Sequence, residues 1–354
     1  MNIIKDWFDQ YFSDPQVIIL ALLLASVFAV VMLFGGILAP VLASVILAYL
    51  LEAPVTKLES WGIPRLIAAS VMYVVFVVLS LLILFVLLPE LSRQMTGLLQ
   101  SAPDMVQQTQ TLLLTLPQHY PEVFTEAQVD DWIAKLGEEL QASVQALASS
   151  WVKLGVGVTY VLIYMVLIPF LVFFMLKDKK QITAWFAGFL PKDYSLVKVV
   201  WNDVDAQVGN YVRGKAIEIL VIGVVSCVTF MVLGLNYAIL LGVLVGLSVL
   251  VPYVGATVVT LPVLAVAYLQ WGPSSEFNWV FIAYAVIQAL DGNVLVPLLF
   301  SEVVDLHPVA IIVAVLFFGG IWGFWGVFFA IPLATLVQAV IKAWPNRQAI
   351  QAAC

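Results

Sequence analysis

The chain has 354 residues, 63% of them hydrophobic and only 10% charged, with a formal net charge of −7 and a mean hydropathy of +1.06. Soluble domains carry about 25% charged residues, and surface-to-volume geometry exposes much of any small fold to water, so a water-soluble domain is excluded and lipid must be the solvent. The charge is unevenly placed and forms no basic patch, which excludes a nucleic-acid partner.

The N-terminal residues Met1 to Pro15 set Lys5 against Asp6, Asp9 and Asp14. A secretory signal needs a basic head and a short apolar stretch; here the apolar run Val17 to Leu38 is long enough to cross a bilayer, which takes about 20 residues. Hydropathy predicts membrane segments near 17–35, 37–51, 66–88, 154–176, 216–234, 237–251, 255–270, 279–300, 308–320 and 324–342. Several are short, so some are expected to be half-helices or re-entrant pieces, with about eight crossings in all.

The predicted organisation is then N-terminal transmembrane helices over 1–88, an external segment over 89–153, a span over 154–176, a cytoplasmic linker over 177–215, a C-terminal transmembrane bundle over 216–344 and a tail over 345–354. Orientation follows Lys and Arg near the span ends. Segment 177–215 holds Lys177, Lys179, Lys180, Lys192, Lys198, Arg213 and Lys215, and is expected inside. Segment 89–153 holds Arg93, Lys135 and Lys153 among eight acids, and is expected outside, in the periplasm. Counting spans in both directions puts both termini in the cytoplasm, which Lys342 and Arg347 fit.

Segment 89–153 is too long for a connector. Its apolar residues Leu91, Met95, Leu98 and Leu99, then Val106, Leu112, Leu113 and Leu116, recur at helical spacing between Pro103, Pro117 and Pro121. This predicts a small helical external subdomain rather than a mobile linker. In the inner segment, Asp193 or Ser195 reads as a helix cap. Leu196, Val200, Val204, Val208 and Tyr211 follow every three or four residues, with Asp203, Asp205 and Gln207 off the stripe. That is an amphipathic helix, lying on the inner membrane face or docked against the protein.

Catalytic motifs are missing from the sequence. There is no phosphate loop, no GxSxG elbow and no HExxH, and His119 and His307 are far apart. The two cysteines, Cys227 and Cys354, lack metal-ligand spacing, and Cys227 reads as a small packing residue. No enzyme activity, metal or cofactor is expected, and transport would be gradient-driven or passive.

The informative features are breaks in apolar helices. Backbone that leaves the helix inside a membrane is tolerated only where protein or a watery cavity satisfies its N–H and C=O groups, and transporters build ion and substrate sites there. Three breaks stand out: Val251-Pro252-Tyr253-Val254-Gly255; Asp291-Gly292-Asn293-Val294-Leu295-Val296-Pro297; and the run Gly319-Gly320-Ile321-Trp322-Gly323 continuing to Gly326. For the first and third, a plain turn between helices is the alternative. Gly242 and Gly246 are spaced for close helix packing.

Asp291 is the sharpest candidate, because an acid inside an apolar run must be paired, protonated or hydrated. Gln288 and Asn293 lie within a turn of it. The plainer alternative is a carboxylate at the interface near a helix end. Weaker candidates for gating or proton relay are Arg213 and Glu218, which also read as a structural pair, and Glu302 and His307 in a polar turn with Asp305 and Pro308. Finally, the stretch from Leu235-Asn236-Tyr237 to Pro262 and that from Leu306-His307-Pro308 to Pro332 read as two matched broken hairpins facing a shared site.

The sequence resembles the AI-2E family of permeases, and within it the PerM-like branch, over nearly the whole chain. The resemblance is carried by Asn210-Tyr211-Val212-Arg213-Gly214-Lys215, Gly234-Leu235-Asn236-Tyr237, Val251 to Gly255, Asp291 to Pro297, Leu306-His307-Pro308 and Gly319 to Pro332. It implies a bacterial inner-membrane protein of about eight spans and a homo-oligomer, pentamers being described in the family. It also implies transport, of the signalling molecule autoinducer-2 in some members and sodium–proton antiport in others. Where many members have Glu before Gly-Asn, this chain has Asp291, one methylene shorter.

The expectation is therefore an all-α integral membrane protein with broken, re-entrant hairpins in its second half. It would act as a gradient-driven permease, exporting a small polar solute or exchanging a cation for protons. Asp291 would be the coupling group, in a cavity lined by Pro252, Tyr253, Gly255, Gly292, Pro297, Gly319, Gly320 and Gly323. Its partners would be lipid, a small-molecule or ion substrate and copies of itself. The rival readings are a passive channel and a non-transporting scaffold or accessory subunit.

Overall fold

A computed structural model describes residues 15–119, 158–190, 195–252, 254–300 and 306–343, together with 125, 128, 129, 131, 133–135 and 145. Among the described residues every regular element is a helix. In chain order these are α1 (Pro15–Ser60), α2 (Arg65–Leu82), a π turn (Ile83–Leu87), α3 (Leu88–His119), α4 (Val158–Lys177), α5 (Lys179–Ala187), α6 (Ser195–Val232), α7 (Ala238–Ser248), α8 (Val254–Trp271), α9 (Ser275–Leu290), a second π turn (Asp291–Leu295), α10 (Val296–Phe300), α11 (Pro308–Trp322), α12 (Phe324–Phe328) and α13 (Ala330–Ala343).

The first departure from the sequence reading is α1. Two spans were expected, at 17–35 and 37–51, but one helix of 46 residues runs through Gly35, Gly36 and Pro40. At 1.5 Å per residue it is about 69 Å long, over twice the hydrocarbon thickness. Glycine is a weak breaker in lipid, because unwinding there would strand amides in hydrocarbon.

Two further joins lengthen the helices. The span after Arg65 does not stop at 88; it passes through the π turn into α3, so the first part of the external segment is a rigid extension of the span. Its inward face packs on the C-terminal bundle through Leu98 and Met105. Gln94 Oε1 accepts a hydrogen bond from Leu240 N at 2.9 Å, and the Ser101 and Tyr237 hydroxyls are 3.1 Å apart. The rest of the proposed external subdomain, with Leu112 and Leu116 as side chains, lies largely outside the described residues.

The amphipathic stretch 195–211 and the span 216–234 are likewise one helix, α6, of 38 residues. Val200 of that stripe and Val197 beside it are buried against Leu20, Leu23, Leu24, Leu336 and Val340, so this part of the helix packs on α1 and α13.

The main core sits where α6 to α9 meet, around Ile222, Phe230, Leu241, Val245, Val263, Val266, Val280, Tyr284 and Ile287. Gly242 and Gly246 let α7 touch α6 backbone to backbone. A Cβ on Gly246 would lie 2.7 Å from Gly223 Cα, and one on Gly242 would lie 2.6 Å from Cys227 N. This is small-residue packing of the kind that replaces hydrophobic force between helices in lipid. A smaller cluster ties α1, α2 and α4 through Leu51, Val55, Ala68, Ala69, Val172 and Leu176.

The two C-terminal hairpins share a plan. In each, a glycine early in the second arm abuts the carbonyl at the end of the first. A Cβ on Gly255 would lie 1.7 Å from Ser248 O, and one on Gly326 would lie 1.8 Å from Phe318 O. A proline follows, Pro262 inside α8 and Pro332 in α13. The Gly323 turn sits at φ 57°, ψ −131°, a conformation that excludes a side chain.

Candidate functional site

On α6, Tyr211, Lys215 and Glu218 fall at i, i+4 and i+7, one stripe of an α-helix. The stripe faces the end of α7, the turn into α8, and the second π turn. Between them lies a cavity of about 290 Å³, bordered also by Val249, Val251, Pro252, Ala256, Gln288, Asp291, Gly292, Val296, Phe300, Ile311 and Ile331. Ile311 and Ile331 bring the last hairpin to it, and Val251, Pro252 and Ala256 the earlier one, so both broken hairpins border one space.

Broken helices leave carbonyls without intrahelical partners, and these are what the α6 side chains satisfy. The Lys215 ammonium donates to Val249 O, at the C-terminal end of α7, at 2.8 Å. A cation also suits the negative end of that helix. The same ammonium is 2.8 Å from Glu218 Oε2 and 5.3 Å from the centre of the Phe300 ring. Tyr211 donates to Phe328 O, at the end of α12, at 3.3 Å. Gly214 makes room for this, since a Cβ there would lie 2.7 Å from Phe300 Cε1. Lys215 is 5% exposed and Glu218 1%.

Asp291 comes to the cavity by another route. The expected break at 291–297 is not a break. The helix from Ser275 runs on to Phe300 through a π turn, which inserts a residue without ending the helix. The wider turn frees carbonyls, and Asn293 Nδ2 donates back to Ala289 O at 2.8 Å. Asn293 is thereby turned outward, while Asp291 turns inward and is 8% exposed. Its Oδ1 atom is buried with no hydrogen-bond partner among the described residues. Gln288, one turn back, also lines the cavity, next to Tyr284, whose hydroxyl is 3.0 Å from that of Thr260.

The structure thus gathers Asp291, Gln288, Gly292, Pro252 and Glu218 from the sequence candidates. It leaves others apart. Gly255 shapes the turn but does not line the space. Pro297 is exposed, as are Gly320 and Gly323, and Gly319 packs on Val327. His307 Nδ1 accepts from Val309 N at 3.2 Å, capping α11 at an exposed position. Arg213 binds Asn210 Oδ1 and does not pair with Glu218. Five residues apart, those two side chains lie about 140° apart around the helix; Lys215, at i and i+3, is the partner geometry allows. Tyr253 and Glu302 lie outside the described residues.

Sequence reading missed Lys215 and Tyr211 as site residues. Lys215 was counted among loop charges and Tyr211 in an amphipathic stripe. The overlooked signal was Glu218, an acid already inside an apolar run, with Lys215 at i−3 and Tyr211 at i−7 on the same helix stripe.

The chain's relatives point the same way. The family model described as AI-2E family transporter matches residues 17–346. The chain is 44% identical over 355 residues to PerM of Escherichia coli (strain K12), named as a permease, covering 99% of each. It is 28% identical over 303 residues to YueF of Bacillus subtilis (strain 168), named as a transport protein, covering 84% of this chain and 80% of that one. It is 21% identical over 314 residues to the AI-2 transport protein TqsA of Escherichia coli (strain K12), covering 89% and 88%.

Proposed function

This chain belongs to the AI-2E transporter family, and we propose that it is a gradient-driven permease of the bacterial inner membrane that loads a proton or monovalent cation on Asp291. The multi-pass membrane architecture and the transport role are those of its family. The coupling, the direction and the cargo are our reading. The observation that carries it is the Asp291 carboxylate, buried with an unpartnered oxygen in a cavity where two broken hairpins meet. Desolvated carboxylates inside a membrane are costly and mark ion and proton paths, and the broken-helix setting is how secondary transporters build such sites.

The cargo is read as a small polar solute, exported. The cavity suits something small, and the name of TqsA supports an autoinducer-2-like solute. A cation exchanged for protons is the second form the same site supports. We further propose that the Lys-rich segment ahead of the cavity, from Lys177 to Lys198, faces the cytoplasm, by the excess of basic residues expected there, and that the protein is a homo-oligomer on the family's pattern.

The test is flux in liposomes with purified protein, an imposed proton or sodium gradient, and a solute panel that includes autoinducer-2. Asp291→Asn keeps the shape and removes the charge. It is expected to abolish gradient-driven uphill flux while leaving the protein folded. Unchanged flux and unchanged response to the gradient in Asp291→Asn would refute the assignment.

A further inference from the structure

Four ionisable side chains line the cavity: Tyr211, Lys215, Glu218 and Asp291. Tyr211 is neutral and its hydroxyl is engaged by Phe328 O. That leaves one cation and two carboxylates. The ammonium is committed on every side: to Glu218, to Val249 O and to the face of Phe300. The lysine is only 5% exposed. Among the described residues Asp291 makes no ion pair within 4.0 Å, although it opens on the same space; Glu218 Oε2, like Asp291 Oδ1, has no hydrogen-bond partner, so what separates the two acids is the 2.8 Å approach of the Lys215 ammonium to Glu218.

We propose that Lys215 is a resident counter-ion that fixes the cavity's load at one positive charge, by neutralising Glu218 and leaving Asp291 as the carboxylate that is loaded. The inference rests on the reading of Asp291 above and adds its stoichiometry. The argument is charge balance in a desolvated space. Burying an unbalanced charge is expensive, and a buried ion pair persists only when its geometry is good and its remaining donors are satisfied. With Lys215 in place the empty cavity is one unit negative, and a single proton or monovalent cation brings it to neutral. A divalent ion or two protons would overshoot. Without Lys215 the same cavity would be two units negative and would take up two charges. The α6 lysine is therefore a positioning residue: it touches no cargo, yet decides which acid the cargo meets and how many charges it brings.

The full-length protein in liposomes is treated with dicyclohexylcarbodiimide, which attacks protonated carboxyl groups in apolar surroundings, and the labelled residues are read by peptide mass spectrometry. In the wild type the label is expected at Asp291, with Glu218 labelled at least about tenfold less, the scale on which a close opposite charge favours the ionised form. In Lys215→Met, Glu218 is expected to rise to the level of Asp291, and Lys215→Arg should keep the wild-type pattern. In Glu218→Gln the freed ammonium has only Asp291 left to neutralise, so labelling of Asp291 should fall severalfold, a change that a purely structural lysine would not produce. Equal labelling of both acids in the wild type, or a Glu218 signal indifferent to Lys215→Met, overturns the inference; the first needs no variant to fold. An unlabelled Asp291 in the wild type is a different result: it overturns the reading of Asp291 itself, and this inference with it.

Discussion

The two halves of the molecule solve the membrane problem in opposite ways. In the N-terminal half, α1 and the α2–α3 rod are long and smooth. In the most apolar 18-residue window of the rod from Arg65 to Thr111 no residue is buried within the chain, whereas 28% of the corresponding window of α6 is. An ion-pair cluster lies at one end, where Arg65 binds Glu52 and Glu59 at 3.0 Å each and Leu176 O at 2.6 Å. The C-terminal half is interrupted by turns and glycines and carries the Lys215–Glu218 pair and Asp291 inside. An unbroken helix satisfies its own backbone and has no need of buried polar side chains. A broken one releases carbonyls that must be met, and Lys215 and Tyr211 meet them. The breaks thus recruit the polar groups, and the polar groups make the cavity.

That contrast is broken first at Lys215. Lys215→Ala leaves Glu218 buried without its partner, which should cost about 3–5 kcal/mol. Lys215→Met with Glu218→Gln removes both charges and should recover most of that loss. Thermal unfolding of the purified proteins in detergent reads both. If the single variant is no less stable than wild type, the pair is hydrated and the two halves differ less than their geometry implies.

The second test is steric. In Gly255→Ala the new methyl would overlap Ser248 O, so the α7–α8 turn must open. Overpacking of this severity costs about 3 kcal/mol, and because Pro252 and Ala256 border the cavity, flux should fall with stability. Retained flux in a destabilised variant would separate the turn from the site.

How much of this was legible beforehand follows from the same contrast. Asp291 stood out because an acid inside an apolar run must be paired, protonated or hydrated wherever the run folds; its burial in the cavity, rather than near an exposed helix end, came only with the structure. Pro252 and Gly255 were readable as punctuation, and they do bracket the turn between α7 and α8. The π turn was not, because a sequence with Gly and Asn reads as a break, and only the continued packing of Val296 and Phe300 on α6 holds the helix together. Lys215 was hidden by a boundary: placing the start of the span at 216 put it in the linker by one residue. The join of α1 was misread in the other direction, since Gly35-Gly36 looks like a turn only if water is available to the backbone.

The third test returns to the N-terminal half. Arg65 links the end of α1, the start of α2 and the end of α4, with Lys179 adding a contact to Glu52 at 3.4 Å. Its side chain keeps 19% of its exposure, so solvent screens the pairs. Arg65→Met should cost about 1 kcal/mol, less than the buried pair. The difference from wild type should shrink in high salt, which shortens the Debye length to about 3 Å at 1 M. A loss as large as that of Lys215→Ala would mean that the clamp is as buried as the cavity.

The smallest expected effect is the most informative about the smooth half. A Cβ on Gly36 meets nothing within 4 Å, and alanine is the better helix former. If α1 is a lipid-facing rod, Gly36→Ala should shift stability by no more than about 0.5 kcal/mol, in the stabilising direction if at all. The same substitution at Gly246 would drive a methyl into the backbone of α6. A marked loss at Gly36 would therefore need an atom that this chain does not supply, and a second copy packed against α1 is the source consistent with a homo-oligomer. Native mass spectrometry of the two variants separates the cases: in Gly246→Ala the fold of each subunit weakens, whereas at Gly36 any loss should appear as dissociation.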